Sequence, residues 1–346
     1  MAYKTILVGT DGSETARIAE NVASLLAAAL SAELVILTAI TSADDAGAAE
    51  GLLEDAAGRA RRLGLDPTTR ARAGEPSAVI VEDAEETAAD LIVVGNRGMG
   101  RARRFMLGGV PDHVAHHSPV DLLVVKTTHP EAGTRGDRLY RNVLIATDGS
   151  FTADQAAGRG YDLAAALGAG LGLVYVGDEV IGEIVLRDTS ERLGKSDMSR
   201  KVLRGDPAER ICGMAQAEGF DLVVVGNKGM EGSRRYLLAA VPNQVAHNAE
   251  CDVLIAKTVG RSLWDLRPGE GGIADVEGQK VAAFVDGDGT LYTVSARCQH
   301  LGCTVGWNSK ARTWDCPCHG SRYDFQGGVL RGPTTKPLPP IEISER

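Results

Sequence analysis

The hydrophobic pattern of the chain has two textures. Through the first three quarters, short runs of consecutive apolar residues alternate with stretches in which apolar positions recur every three or four residues. Residues 6–8, 34–37, 91–94 and 122–125 are apolar at every position, the pattern of strands covered on both faces and hence of a parallel sheet. Between the first two, Ile18, Val22, Leu25, Leu26 and Ala29 fall on one face of a helix, the cover that such a sheet requires. From Pro268 onward the pattern changes to short strands and tight turns. Residues 280–285 and 291–294 flank Asp286-Gly287-Asp288-Gly289, a hairpin signal.

The first texture is an internal repeat. TILVGTDGSETA (residues 5–16) recurs as NVLIATDGSFTA (142–153), DLIVVGNRGM (90–99) as DLVVVGNKGM (221–230), and DLLVVKT (121–127) as DVLIAKT (252–258). Each copy, with its alternating strands and helices, predicts a doubly wound parallel-sheet α/β domain. The expected organisation is two such domains, residues 1–130 and 138–258, followed by a small all-β domain, residues 262–346.

Composition narrows the function. The 346 residues hold 37 Lys and Arg against 46 Asp and Glu, a formal charge of −9, which disfavours a general grip on nucleic-acid phosphates. No run approaches the ~20 apolar residues of a membrane span, and the first residues lack the pattern of a cleavable export signal. A cytoplasmic protein with no nucleic-acid or membrane partner is expected. Seven of the 15 aromatic residues, including all three Trp, lie in the last 85 positions. Four of the six cysteines (Cys298, Cys303, Cys316, Cys318) fall within 21 positions, while Cys212 and Cys251 sit in apolar surroundings that suit inert core thiols.

In a doubly wound fold ligands bind beyond the carboxyl ends of the strands. Gly95 and Gly98 follow a strand directly, and Gly108 and Gly109 are placed to open the next helix. Backbone N–H groups and the helix N-terminus there favour an anion. Asp11, just after the first strand, suits a ribose hydroxyl or a cation. The same glycines also suit tight strand-to-helix turns, and Arg101, Arg103 and Arg104 suit either a solvated face or phosphate neutralisation. His113, His116 and His117 read as surface or packing histidines, because the repeat keeps only His116, as His247.

The pattern Gly95-x2-Gly98-x9-Gly108, with the Asp11-Gly12-Ser13 turn, resembles the nucleotide-binding signature of the universal stress protein family. The resemblance implies ATP in the first copy, held by Asp11, Gly95, Gly98, Gly108 and Gly109, although the family usually has Ser or Thr where this chain has Gly109. The second copy keeps Asp148, Gly226 and Gly229 but has Ala239 and Ala240 at the last two glycine positions, so weakened or absent binding is expected there. The family also commonly pairs through its last strand, which implies an intrachain pseudo-dimer through residues 122–125 and 253–256.

The chemistry of the second texture lies in two loops, Cys298-Gln299-His300-Leu301-Gly302-Cys303 and Cys316-Pro317-Cys318-His319-Gly320-Ser321. Two Cys and two His could satisfy tetrahedral zinc. The spacing C-x-H-x15-C-x2-H, with one residue between the first two ligands, instead resembles the Rieske 2Fe-2S family. That resemblance implies an iron–sulfur cluster with Cys298 and Cys316 on one iron and His300 and His319 on the other. It also implies a disulfide between Cys303 and Cys318, and hydrogen bonds from Ser321 and Tyr323 that raise the potential. Gly332-Pro333 resembles the loop that covers the cluster, with Thr335 where the family often has a second proline.

Only 27 residues follow His319, too few for the mononuclear iron domain of an oxygenase, and no flavin fingerprint is present. No catalytic site is expected. Two functions fit: one-electron transfer with a flavoprotein or cytochrome partner, coupled to an ATP-binding stress scaffold, or a nucleotide-binding regulator that uses the cluster as a redox sensor.

Overall fold

The computed structural model describes residues 3–40, 46–96, 109–127, 139–195, 198–227, 241–257, 266, 268–276, 279–300, 302–308, 311–316 and 320–343. The chain divides into two compact units, Met1–Thr258 and Val259–Arg346.

The first unit winds twice. The first wind is β1 (Thr5–Gly9), α1 (Glu14–Leu30), β2 (Glu33–Ile40), α2 (Ala46–Arg61), β3 (Thr68–Ala73), α3 (Pro76–Glu86), β4 (Leu91–Gly95), α4 (Gly109–His117) and β5 (Asp121–Val125). The second is β6 (Asn142–Ala146), α5 (Phe151–Leu167), β7 (Gly170–Val176), α6 (Glu179–Arg192), β8 (Ser199–Leu203), α7 (Pro207–Ala217), β9 (Leu222–Gly226), α8 (Val241–Asn248) and β10 (Asp252–Ala256). All four apolar runs of the first copy lie inside strands and are buried. The two winds share one ten-stranded sheet, ordered β3-β2-β1-β4-β5-β10-β9-β6-β7-β8. Each wind is internally parallel, and β5 meets β10 antiparallel with Leu123 opposite Leu254. Strands that would otherwise be open edges therefore satisfy each other.

Helix α1 shows what periodicity alone misplaced. Its buried stripe is Ala16, Ala19, Val22, Ala23, Leu26 and Ala27, whereas Ile18 and Leu25 are half-buried and Ala29 is exposed. Alanine side chains let the helix lie close to the sheet, so the smaller residues, not all the larger ones, face inward. Ser13 caps the helix by accepting from the Ala16 amide at 3.1 Å, and Ser150 caps α5 in the same way.

The second unit has two antiparallel sheets. One contains β11 (Gly271–Val276), β12 (Gln279–Val285) and β13 (Leu291–Ser295). The other contains β14 (Gly306–Asn308), β15 (Thr313–Asp315), β16 (Arg322–Asp324) and β17 (Val329–Arg331). The Asp-Gly-Asp-Gly turn joins β12 to β13 as expected, with the Asp286 amide donating to the Thr290 carbonyl at 3.0 Å. Phe284, Trp314 and Tyr323 are fully buried. Trp307 stacks near both Trp314 and Phe284, with ring centroids 4.6 and 4.7 Å away. The late cluster of aromatic residues is thus the core of the small unit.

Candidate metal centre and nucleotide crevice

The two cysteine-containing loops leave the small sheets at defined points. The first follows β13 and leads into β14; the second joins β15 to β16. Their described ends share one hydrogen-bond pattern. In the first, the Cys298 amide donates to the Cys303 carbonyl at 2.8 Å and the Gly302 amide to the Cys298 carbonyl at 2.9 Å. In the second, the Cys316 amide donates to the Ser321 carbonyl at 2.7 Å and the Gly320 amide to the Cys316 carbonyl at 3.1 Å. Gly302 and Gly320 occupy the same step of each loop with φ of +74° and +71°, the left-handed conformation that glycine adopts without Cβ strain.

Cys298 and Cys316 are 2% and 3% exposed and neither is in a disulfide, whereas His300 is exposed. This places sulfur inside and imidazole at the surface. Burial pushes the Cys298 thiol up, but the Tyr323 hydroxyl, the His300 backbone amide and the Cys316 and Ser321 side chains together outweigh it, and the net direction is down. Tyr323 Oη lies 3.1 Å from Cys298 Sγ, and the Gln299 amide donates to that oxygen at 3.2 Å. The amide therefore leaves the phenolic proton free to point at sulfur. Ser321 is fully buried, and its Oγ has no hydrogen-bond partner. Close to the Cys298 thiol, which its side chain helps to pull down, a buried hydroxyl without a well-formed bond fits an acceptor such as a bridging sulfide. Together the thiols, the imidazole and these two hydroxyls suit an iron–sulfur group.

One support lay outside the sequence reading. Asp315, next to Cys316, takes a bidentate bond from Arg322, next to Ser321, with both contacts at 2.8 Å. Asn308 and Thr313 also donate to the Asp315 carboxylate. The second loop is thus clamped at its base, a pairing that only the β15–β16 register reveals. Gly332 has φ of +126°, and a Cβ there would lie 2.3 Å from the Ser321 Cα, so the Gly332-Pro333 segment rests directly on the loop. Thr335 is exposed, while its neighbour Thr334 is buried and closes the segment by bonding Lys336. Cys303 is not among the free cysteines. Cys318 and His319 lie outside the described residues.

In the first unit, strand order reverses on either side of β1: β2 and β3 lie to one side, β4 and β5 to the other. The crevice at this switch point opens between the ends of β1 and β4. Asp11 follows β1 and is exposed, with its carboxylate accepting from the Ser13 amide at 3.0 Å. Gly95 ends β4, and Gly109 opens α4. Among the described residues, a Cβ on Gly109 would meet nothing within 4 Å. Asp148 and Gly226 flank the matching crevice between β6 and β9. A Cβ on Gly226 would lie 2.7 Å from the Thr152 carbonyl oxygen, so this glycine is also required for packing. Gly98, Gly108, Gly229, Ala239, Ala240, Arg101, Arg103 and Arg104 lie outside the described residues.

His116 and His117 bond the carbonyls of Asp112 and His113 at 2.8 Å, and the His113 and His117 rings stack. Burial pushes the thiols of Cys212 and Cys251 up to about 11 and about 12, which leaves both unreactive. Among the described residues no helix is long and apolar enough to cross a membrane.

The comparisons agree with this architecture. The universal stress protein family model matches residues 2–126 and 182–257, more than half of the chain, and the chain belongs to that family. The Rieske [2Fe-2S] domain model matches residues 259–342, so the small unit is a Rieske domain. Among solved structures, a universal stress protein of Archaeoglobus fulgidus aligns with a TM-score of 0.59 at 20% identity, covering 73% of this chain and 96% of that one. A Pseudomonas aeruginosa protein of unknown function aligns with a TM-score of 0.57 at 18% identity, covering 75% and 94%. Both show the fold. Two curated relatives carry the Rieske or iron-sulfur description over short alignments. A Bacillus subtilis protein described as a Rieske 2Fe-2S iron-sulfur protein is 48% identical over 79 residues, 23% of this chain and 16% of its own length. Subunit 2 of the iron-sulfur subunits of the cytochrome b6-f complex in Nostoc is 45% identical over 73 residues, 20% of this chain and 41% of its own. The chain thus spans less than half the length of these relatives.

Proposed function

We propose that this protein is a one-electron redox carrier whose cluster is held by Cys298, His300, Cys316 and His319, on a scaffold that binds ATP in its first half, within domains 1–130, 138–258 and 262–346. The observation behind the redox reading is two buried thiols, neither in a disulfide, and an exposed imidazole on two loops whose described ends share one hydrogen-bond pattern. When bound, a cluster with two cysteine and two histidine ligands exchanges single electrons at a potential above that of an all-cysteine cluster. Cys298 and Cys316 would serve one iron and His300 and His319 the other, with Cys303 and Cys318 paired as a disulfide between the loops. The match to a cytochrome b6-f iron-sulfur subunit supports an electron-transfer role, and a flavoprotein or cytochrome is the partner class.

An electron paramagnetic resonance spectrum of the dithionite-reduced protein, with iron and acid-labile sulfide counted, tests this. A rhombic signal of low average g with two irons and two sulfides per chain is the expected result; zinc without a signal overturns it. Tyr323→Phe removes the hydroxyl near Cys298 Sγ, a bond that favours the more negative, reduced state. If that bond contributes about 1 kcal/mol, the midpoint potential falls by about 40 mV at full iron content. An unchanged potential would remove Tyr323 from the site.

The ATP reading rests on the placement of Asp11, Gly95 and Gly109 around the switch point. Gly98→Val is expected to abolish ATP binding in isothermal titration while iron content stays constant. Redox titration with and without ATP then separates carrier from sensor. Coupling between the two sites must be reciprocal, so a sensor shows different ATP affinities in its two redox states and a plain carrier does not.

A further inference from the structure

The stretch of chain that carries both cysteine loops is basic although the chain as a whole is acidic. Residues 289–341 hold Arg297, Lys310, Arg312, Arg322, Arg331 and Lys336 against Asp315 and Asp324 only, a formal +4 in a chain of −9. Asp315 is engaged by Arg322. Asp324 lines a cleft of about 460 Å³ together with Asp286 and Asp288. That cleft is at the hairpin end of β13, and the strand runs from there toward Cys298.

Three of the cations belong to the opposite end. Arg297 immediately precedes Cys298, and its guanidinium lies 3.6 Å from a Cβ built on Gly302. Arg331 precedes Gly332, which abuts Ser321. The Lys336 amide donates to Thr334 Oγ1 in the segment resting on the second loop. All three are exposed, as is His300, and among the described residues none of the three is joined to a carboxylate.

We propose that Arg297, Arg331 and Lys336 form a basic collar that docks an electron-transfer protein through an acidic face surrounding its own redox centre. Complementary charge raises encounter rates and fixes orientation, so the collar would bring such a partner to the imidazole edge. This rests on the redox-carrier reading above. The rest of the chain, being acidic, repels the same partner elsewhere and so narrows where it lands.

The test uses the full-length, iron-loaded protein and its R297E/R331E/K336E variant. First, binding of the oxidised protein to an acidic and to a basic c-type cytochrome is measured at low and high salt. The collar predicts tighter binding of the acidic cytochrome, weakened by salt, and a loss on the order of tenfold in the variant. Second, the reduced protein is oxidised by ferricyanide, an anion, and by tris(phenanthroline)cobalt(III), a cation, each accepting one electron. With the collar, the ferricyanide rate falls as salt rises, and in the variant that slope inverts. The net charge of −9 alone predicts the opposite slope in the parent protein. Preference for the basic cytochrome, or a ferricyanide rate that rises with salt, overturns the collar while leaving the carrier reading intact. Salt-sensitive binding of a DNA duplex in place of the acidic cytochrome overturns it as well, and a protein without iron overturns both readings.

Discussion

Cys298→Ser is expected to strip the protein of iron and labile sulfide. Cys298 is 2% exposed, so nothing from solvent can replace its sulfur. A serine hydroxyl keeps its proton at neutral pH and is a hard donor, whereas the site is built to favour a thiolate. Burial alone would keep the thiol protonated; the Tyr323 hydroxyl, the His300 amide and the Cys316 and Ser321 side chains together outweigh it. With serine present, these groups face a neutral oxygen on a shorter bond. Iron and sulfide should fall by on the order of tenfold or more, with loss of the rhombic resonance. Because metal binding and folding of a small domain are coupled, near-ultraviolet dichroism of the Trp307–Trp314 pair shows whether the core persists. ATP titration of the same variant should be unchanged. Cys212→Ser is the control: its thiol is pushed up to about 11 and sits on α7 in the other unit, so it should leave iron intact. Full iron content in Cys298→Ser would remove Cys298 from the ligand set.

The candidate ligands were legible because a Rieske motif is local. Cysteine and histidine at fixed spacing in two short loops survive as a pattern in one dimension. The clamp between Asp315 and Arg322 was not, since seven positions separate them and only the register of two three-residue strands brings them together. Strands that short give no usable periodicity, so the sheet of β14 to β17 could not be read in advance. The large sheet was legible for the opposite reason: its strands are apolar on consecutive positions, and the repeat states each of them twice. Helix α1 was less so, because its inward face is mostly alanine, and a hydrophobicity count gives Leu25 more weight than packing does. The seam between the winds stood in plain view as DLLVVKT and DVLIAKT. The pairing of these two strands follows from the family resemblance and is what the structure shows; the bonds made by the flanking Asp and Lys across the joint have no signature in one dimension.

Those flanking residues make the seam the most sensitive place in the large unit. Asp252 is 1% exposed; it accepts from the Tyr140 hydroxyl at 2.7 Å and from the Lys126 amide at 2.9 Å. Its counterpart Asp121 accepts from the Tyr3 hydroxyl at 2.7 Å and the Lys257 amide at 2.8 Å. Each wind therefore supplies the acceptor for the other's last strand. The Lys126 ammonium continues across to the Ala246 carbonyl at 2.7 Å, and Lys257 reaches Ala115 in the same way, each capping a helix near its C-terminus. Asp252→Ala would leave a buried hydroxyl and a buried amide without their acceptor, at about 1–3 kcal/mol for each. The calorimetric transition of the large unit should fall by on the order of 10 °C. Asp252→Asn keeps an oxygen for the Lys126 amide and should lose less. Asp121→Ala should match Asp252→Ala, because the two seats are related by the pseudo-twofold axis. A loss below about 1 kcal/mol in both alanine variants would mean that the β5–β10 backbone pairing holds the winds together unaided, with the carboxylates merely resting on the joint.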